Sequence, residues 1–354
     1  MSVINARLSN VSYDIHVQKG ILNTIGSQIA SWYKGDTIAV ITDSNVDQLY
    51  GSSIKTVLAN AGYKIHKILI APGEQSKSLI NLNYVYNKLA EAEINRGNLI
   101  IAFGGGVVGD LAGFAAATYM RGIPFINVPT TLMSQLDSSL GGKTAINLKV
   151  GKNLAGCFYH PRAVYIDPSL LETLPQRVYI DGLAEAVKYG AINDAGLFKE
   201  MQHANNLDVI KNNIEDIIYR CCSIKNMYVQ KDEMDRGERH MLNFGHTIGH
   251  AIESYFHYQR YTHGEAVGLG MLQITKRSEE LKLTERGSFD ALRGLLEICK
   301  LPIEMPQMDI SKLISIATLD KKSYDNRIKL ILLRSIGNSY IHQIPKEDLK
   351  LFIE

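Results

Sequence analysis

No proline occurs between Pro175 and Pro302. Proline lacks a backbone donor and clashes with the turn before it, so helix interiors exclude it. A proline-free stretch of that length predicts helices and divides the 354 residues into two kinds of sequence. Inside the gap, apolar residues recur at helical spacing, as in "LDVIKNNIEDIIYRCCSIKNMYVQKDE" (207–233). Before it come short β-rich runs bounded by turn or polar residues: "TIAVIT" (37–42), "KIHKILIA" (64–71), "NLIIAFGG" (98–105), "PFINVPT" (124–130) and "AVYID" (163–167). Amphipathic stretches such as "SLINLNYVYNKLAEAEI" (78–94) lie between them. Strands alternating with helices predict a mostly parallel sheet. The expected fold is an α/β N-terminal nucleotide-binding domain, residues 1–177, followed by a mainly α-helical C-terminal domain, residues 178–354. "RIKLILLRSIGNSYIHQI" (327–344) reads as a late hairpin turning at "IGNS".

Forty-five per cent of the residues are hydrophobic, enough for a core in each part. A formal net charge of +2 supplies no broad basic field, which argues against nucleic acid or a membrane surface as partner. Any anion must then be met by local placement of Lys and Arg. The N-terminal "MSVINARLSNVSYDIHV" is polar and alternating, without the apolar core of a signal peptide. No apolar run approaches the roughly 18–20 residues of a membrane span. Cys157, Cys221, Cys222 and Cys299 form neither a disulfide scaffold nor a C-x-x-C pair. The expectation is a soluble cytoplasmic protein with reduced thiols.

"NLIIAFGGGVVGDLAGFAAATYM" passes from a buried run through Gly104, Gly106 and Gly109, in G-x-G-x-x-G spacing, into a helix of small residues. That context lets backbone N–H groups approach a pyrophosphate, although the same glycines also make a tight strand-to-helix turn. The loop follows the third or fourth strand, and no acid ends the next strand. Asp43, after "TIAVIT", is an earlier strand-end acid suited to ribose hydroxyls, with "PGEQSK" (72–77), Thr130 and Thr131 as further neighbours of a dinucleotide.

Glu185 and Lys188, in "GLAEAVKYG", are three apart on a helix, either a surface pair or, given Ala184, Ala186 and Val187, a buried one needing a metal or cation. "HMLNFGHTIGHAIE" (240–253) reads as helix and places His246 and His250 one turn apart. It shares only spacing with H-E-x-x-H, because the second position is Thr247. With His263 nearby and an acid upstream, two His plus one carboxylate would fit a catalytic zinc with an open position. Lys143, Lys152, Lys188, Lys225, Arg239 and Lys322 are either solvated surface charges or a set matched to a substrate with two anionic groups.

"GGGVVGDLAGFAAATYMRG", "VPTTLMSQLDSSLGGKTAIN", "GKNLAGCFYHP", "GLAEAVKYG", "RHMLNFGHTIGHAIE", "HGEAVGLGM" and "DKK" closely resemble the 3-dehydroquinate synthase family, in its order and spacing from about residue 37 to 343. The resemblance implies a dehydroquinate synthase-like fold and a phosphate-eliminating carbon–oxygen lyase of the shikimate pathway. Its substrate would be 3-deoxy-D-arabino-heptulosonate 7-phosphate, its products 3-dehydroquinate and phosphate. It implies recycled NAD+ and one divalent metal per subunit, zinc first and cobalt second. By motif position, Glu185, His246 and His263 are implied metal ligands, while His250 handles protons beside the metal and Asn243, one turn earlier, faces the same pocket. Lys143, Lys152, Asn153, Lys188, Lys225, Arg239 and Lys322 would line the substrate pocket, with Lys321 the alternative to Lys322, and Asp137 would meet a substrate hydroxyl. Implied cofactor contacts fall on Asp43, Gly73, Glu74, Lys77, Gly105, Gly106, Val107, Gly109, Asp110, Thr130, Thr131, Lys143, Lys152, Leu170 and Thr173. Arg121 would reach across a homodimer interface. The rival readings are a related sugar-phosphate cyclase, such as a 2-deoxy-scyllo-inosose synthase, a metal-dependent polyol dehydrogenase, or a non-catalytic NAD-binding regulator. The cation set, and above all Arg239 with Lys225 against a carboxylate, argues against all three and for the 3-dehydroquinate synthase reading.

Overall fold

The computed structural model describes residues 2–319 and 326–354, so Lys321 and Lys322 lie outside the described residues. The chain forms two compact units, Met1–Leu174 with Lys225–Met234, and Pro175–Ile224 with Asp235–Glu354. The units are not contiguous in sequence, because the last residues of one helix, Ile214–Lys231, group with the first unit.

The first unit is built on β1 (Ser2–Arg7), β2 (Ser12–Val17), α1 (Ile25–Ala30), β3 (Thr37–Asp43), α2 (Ser44–Asn60), β4 (Lys64–Ile70), α3 (Leu79–Glu91), β5 (Leu99–Gly104), α4 (Gly106–Thr118), β6 (Phe125–Pro129) and β9 (Ala163–Ile166). These strands make one sheet in the order β1-β2-β9-β6-β5-β3-β4, parallel throughout except for the β1–β2 pair. The sheet is apolar on both faces. Ile38, Val40, Ile101 and Phe103 pack against Ile25, Ile29, Ile54 and Leu58 on one side. Ala39, Ile41, Ile100 and Ala102 meet Leu82, Val85, Val108 and Leu111 on the other. Burial on both faces is why the strands read as near-continuous apolar runs, each large side chain contributing about 1.5–3 kcal/mol.

One expectation needs correcting here, and one hairpin goes beyond what the sequence reading assigned. The alternating N-terminal segment forms β1 and β2, so the glycine loop follows the fifth strand in chain order instead of the third or fourth. "KTAINLKVGKNLAGCF", unassigned from sequence, forms a hairpin of β7 (Lys143–Leu148) and β8 (Gly151–Phe158), its short strands obscured by glycines and half-exposed alternation.

The second unit is helical, with α5 (Gln176–Asn193), α6 (Ala195–His203), α7 (Leu207–Asn212), α8 (Ile214–Lys231, shared as described), α9 (His246–Tyr255), α10 (His263–Glu280), α11 (Ser288–Ile298), α12 (Ile310–Leu319) and α13 (Lys350–Ile353). The hairpin β10 (Arg327–Ser335) and β11 (Asn338–Pro345) pairs antiparallel about the expected turn. The continuous helix expected across 240–253 is interrupted. A 3-10 segment, Glu238–Asn243, ends at Phe244, and Gly245 turns the chain at φ 78° before α9 begins. A Cβ on Gly245 would lie 2.7 Å from the Val267 carbonyl oxygen, so close approach to α10 and a left-handed φ both demand glycine. Asn243 therefore does not stand one helical turn before His246. No helix among the described residues is long and apolar enough to cross a membrane.

Candidate metal and nucleotide sites

In the second unit, three helices converge. A Cβ on Gly249 would come within 2.9 Å of the Val267 Cα, so α9 and α10 touch backbone to backbone. The start of α10 is tied to α5 by the Gly264 N–H donating to Asp181 (2.6 Å) and by Arg177 donating to both Glu265 oxygens (2.8 Å each). A capping box between Thr262 and Glu265 sets where α10 begins. These ties place Glu185 of α5 against His246 of α9 and His263 of α10.

The donor atoms of His246, His250 and His263 all lie within 4.8 Å of one another. Glu185, wholly buried, holds Oε1 at 3.6 Å from His246 Nε2 and 3.8 Å from His263 Nε2. Two ligands on one tetrahedral zinc, each about 2.0–2.1 Å from the ion, stand roughly 3.4 Å apart, so these separations suit a shared ion. Both imidazoles are oriented from behind. The Nδ1 of His246 lies 3.0 Å from the Phe244 carbonyl oxygen, and that of His263 lies 3.2 Å from Glu253 Oε2, so an Nδ1–H on each ring would donate outward and leave Nε2 facing Glu185. The other oxygen of Glu185 pairs with Lys188, itself 1% exposed, whose ammonium also sits 4.8 Å above the Tyr189 ring. The surface-pair reading of Glu185 and Lys188 is thereby excluded.

The electrostatics divide the histidines. Burial and then the Lys188 ammonium hold His246 neutral, with a pKa pushed down to about 3. Burial also depresses His263, but its hydrogen bonds to Glu185 and Glu253 outweigh that and raise it to about 10. Those two carboxylates thus favour the protonated form of His263 while His246 stays neutral. His250 is exposed, its ring centroid 5.3 Å from that of His246 and 5.7 Å from that of His263. Arg239, on the 3-10 segment, is 2% exposed, while Asn243 at its end is half-buried.

In the first unit, the sheet's connections reverse direction between β3 and β5, which creates a crevice at their carboxyl ends. Asp43 ends one of these strands and Gly104 the other. Gly105 caps α4, so Gly106 and Val107 offer free N–H groups at a helix N-terminus. The Thr130 N–H donates to the Gly104 carbonyl (3.0 Å), and a Cβ on Gly105 would lie 3.1 Å from the Thr131 methyl, so the two threonines flank the loop. Thr130 Oγ1 and Ser138 Oγ are buried without a partner, as polar groups reserved for a ligand would be. Gly105, Gly106, Gly109, Pro129 and Ser138 line one small pocket. Asp43 also caps α2, its Oδ1 accepting from the N–H groups of Asn45 (2.9 Å) and Val46 (3.1 Å), which leaves Oδ2 uncommitted to that cap.

Lys77, 4% exposed, joins Asp110 (2.6 Å) to Asn153 and Glu74, and Asn147 ties Glu74 (2.7 Å) to the Asn153 N–H (2.9 Å). Burial raises the Asp110 pKa despite the opposing Lys77 charge. Gly73 begins this segment at φ 100°. Lys225 donates to both the carbonyl and the carboxylate of Asp137 (2.7 Å each). Leu170 is buried while Thr173, exposed, bonds the Tyr50 hydroxyl (2.6 Å). Lys143 and Lys152 are on the β7–β8 hairpin, and Arg121 is exposed at φ 66° after α4. Asp181 and Glu253 were not among the sequence candidates. Glu253 had a signal, because it stands seven residues after His246 on the same helical stripe.

The α/β unit and the helical unit together are the dehydroquinate synthase-like fold. A 2-deoxy-scyllo-inosose synthase solved with carbaglucose-6-phosphate, NAD+ and Co2+ matches with a TM-score of 0.90, at 26% identity and 99% coverage of both chains. A 2-epi-5-epi-valiolone synthase from Streptomyces hygroscopicus, with NAD+ and Zn2+ bound, shares the fold at a TM-score of 0.86 and 24% identity, covering 98% of this chain and 97% of its own. Family models described as 3-dehydroquinate synthase N-terminal and C-terminal match residues 67–181 and 182–323. The 3-dehydroquinate synthase of Clostridium acetobutylicum is 46% identical over 98% of both chains. The chain belongs to the 3-dehydroquinate synthase family.

Proposed function

We propose that the Glu185, His246 and His263 cluster holds a single divalent metal, zinc before cobalt, and that Gly105, Gly106, Val107, Thr130 and Thr131 hold NAD+. The enzyme is a carbon–oxygen lyase that converts 3-deoxy-D-arabino-heptulosonate 7-phosphate into 3-dehydroquinate and phosphate. When bound, the metal would polarise the C5 oxygen and NAD+ would take up and return the C5 hydride. The rest is the work of side chains. Lys188, held beside Glu185, and exposed His250 are offered to the substrate's hydroxyl protons. Arg239 and Lys225 answer the substrate carboxylate, and Asp137 a hydroxyl. Lys143, Lys152 and Asn153 supply further polar contacts, alongside Asn243. Asp43, Gly73, Glu74, Lys77, Gly109, Asp110, Leu170 and Thr173 shape the dinucleotide site. Oxidation at C5 acidifies the C6 proton, and the departing phosphate is itself a base for it. Re-reduction, ring opening and aldol closure follow in a site that mainly orients charges. We assign a homodimer with Arg121 contributed to the partner's site, supported by the family and by the exposure of that side chain.

One observation carries this reading: a buried carboxylate with two imidazole Nε2 atoms 3.6 and 3.8 Å away, both turned toward it by hydrogen bonds at Nδ1. The test is phosphate release from the heptulosonate phosphate, with and without chelator and added NAD+. Release that needs both cofactors and accumulates no NADH supports it. Stoichiometric NADH would instead indicate a polyol dehydrogenase.

A further inference from the structure

We infer that Glu253 is a positioning residue for the metal centre, fixing the tautomer and ring plane of His263 so that Nε2 is presented to the ion. The inference rests on the metal reading above. Glu253 is on α9 and His263 opens α10, so the helix that supplies one ligand also orients the ligand on its neighbour. The Glu253 side chain is 7% exposed, and its Oε2 lies 3.2 Å from His263 Nδ1. A carboxylate that deep needs a hydrogen-bonded or cationic partner, and the His263 N–H provides one. His246 obtains the same service from a main-chain oxygen, the Phe244 carbonyl at 3.0 Å. The two ligands are therefore oriented by different chemistries, a neutral carbonyl for one and an anion for the other. An anionic acceptor also makes the imidazole a stronger donor to the metal, and loss of such a partner typically costs about 10–100-fold in metal affinity.

The geometry of α9 makes the arrangement hard to vary. His246, His250 and Glu253, at i, i+4 and i+7, share one stripe, and Gly249 lets α10 approach that helix at backbone contact. Aspartate at 253 would be one methylene short of the ring, and a small residue would leave Nδ1–H without its acceptor.

The experiment measures Zn2+ affinity by competition with a chromophoric chelator, on full-length wild-type, Glu253→Gln, Glu253→Ala and His263→Ala proteins. Circular dichroism serves as the folding control. Glu253→Ala should bind zinc about 10–100-fold more weakly. Glu253→Gln, which keeps an acceptor but loses the charge, should fall between Ala and wild type, and the absorption spectrum of its Co2+ form should shift. Wild-type affinity in Glu253→Ala, or an equal loss in Gln and Ala, overturns the inference. If Glu253→Ala does not fold, Glu253→Gln decides alone, and wild-type affinity with an unshifted Co2+ spectrum overturns it. His263→Ala separates the two levels. Unchanged zinc binding there defeats the metal reading itself, whereas zinc loss there with intact binding in both Glu253 variants defeats only the role of Glu253.

Discussion

In the first unit the candidate ligand contacts are N–H groups and hydroxyls at the carboxyl edge of a sheet. In the second they are imidazoles and a carboxylate drawn from three helices. The proposed nucleotide loop would work through backbone that β5 and α4 place by forming at all, so most side chains in it only have to be small. The proposed metal centre would work through Nε2 and Oε1 atoms whose separations of 3.6 and 3.8 Å depend on rotamers, outer hydrogen bonds and helix spacing at once. A backbone site should thus yield mainly to added bulk, and a side-chain site to deletion.

Removal of a ligand should break this contrast most severely. His246→Ala or His263→Ala is expected to lose bound metal on dialysis and to lower kcat by more than the roughly 100-fold that an outer partner costs. His250→Ala should retain metal and turn over slowly, with metal content measured by atomic absorption. Metal loss in that variant would put His250 in the coordination sphere and redraw the site.

Arg239→Ala comes next. Removing one partner of a buried charge pair costs about 3–5 kcal/mol, so substrate affinity should fall by roughly 10²–10⁴-fold while NAD+ affinity holds. Equal losses for both ligands would mean a folding defect and not a carboxylate partner.

Gly105→Val tests the first unit. Its branched side chain would crowd Thr131, where even a Cβ lies 3.1 Å from the methyl. NAD+ affinity should drop at least about 10-fold by calorimetry, with zinc content unchanged. Joint loss of NAD+ and zinc would show that the two sites do not fail independently.

Asp43→Asn is the mildest. Asn caps helices about as well as Asp, so thermal stability should stay within about 0.5 kcal/mol of wild type, whereas Asp43→Ala should lose about 1 kcal/mol through α2. If the free oxygen serves the ribose, Asp43→Asn lowers NAD+ affinity several-fold. Unchanged affinity leaves Asp43 as a cap alone.

Legibility followed the same line. All five strands read from sequence appear, as do α3 and the late hairpin, because burial on two faces and helical periodicity leave marks within a few residues. The β1–β2 and β7–β8 pairs escaped notice, since short, half-exposed strands rich in small or polar residues carry a weak signal. The break before α9 was missed because Gly245 looks like any helical glycine until α10 is seen against it. Glu185 was legible as unusual through its apolar neighbours, but the same letters also fit a surface pair until burial was known.

By itself the sequence determined the two kinds of folding unit, the glycine turn that opens α4, and the family, because these are written in local periodicity, proline placement and long motifs. Only the tertiary structure decided that Glu185 faces two imidazoles at ligand spacing, that Lys188 takes its other oxygen, and that Glu253 stands behind His263. Those facts depend on how closely α5, α9 and α10 pack. Helix spacing is set by glycines meeting backbone across the interface, a long-range contact that no local pattern encodes.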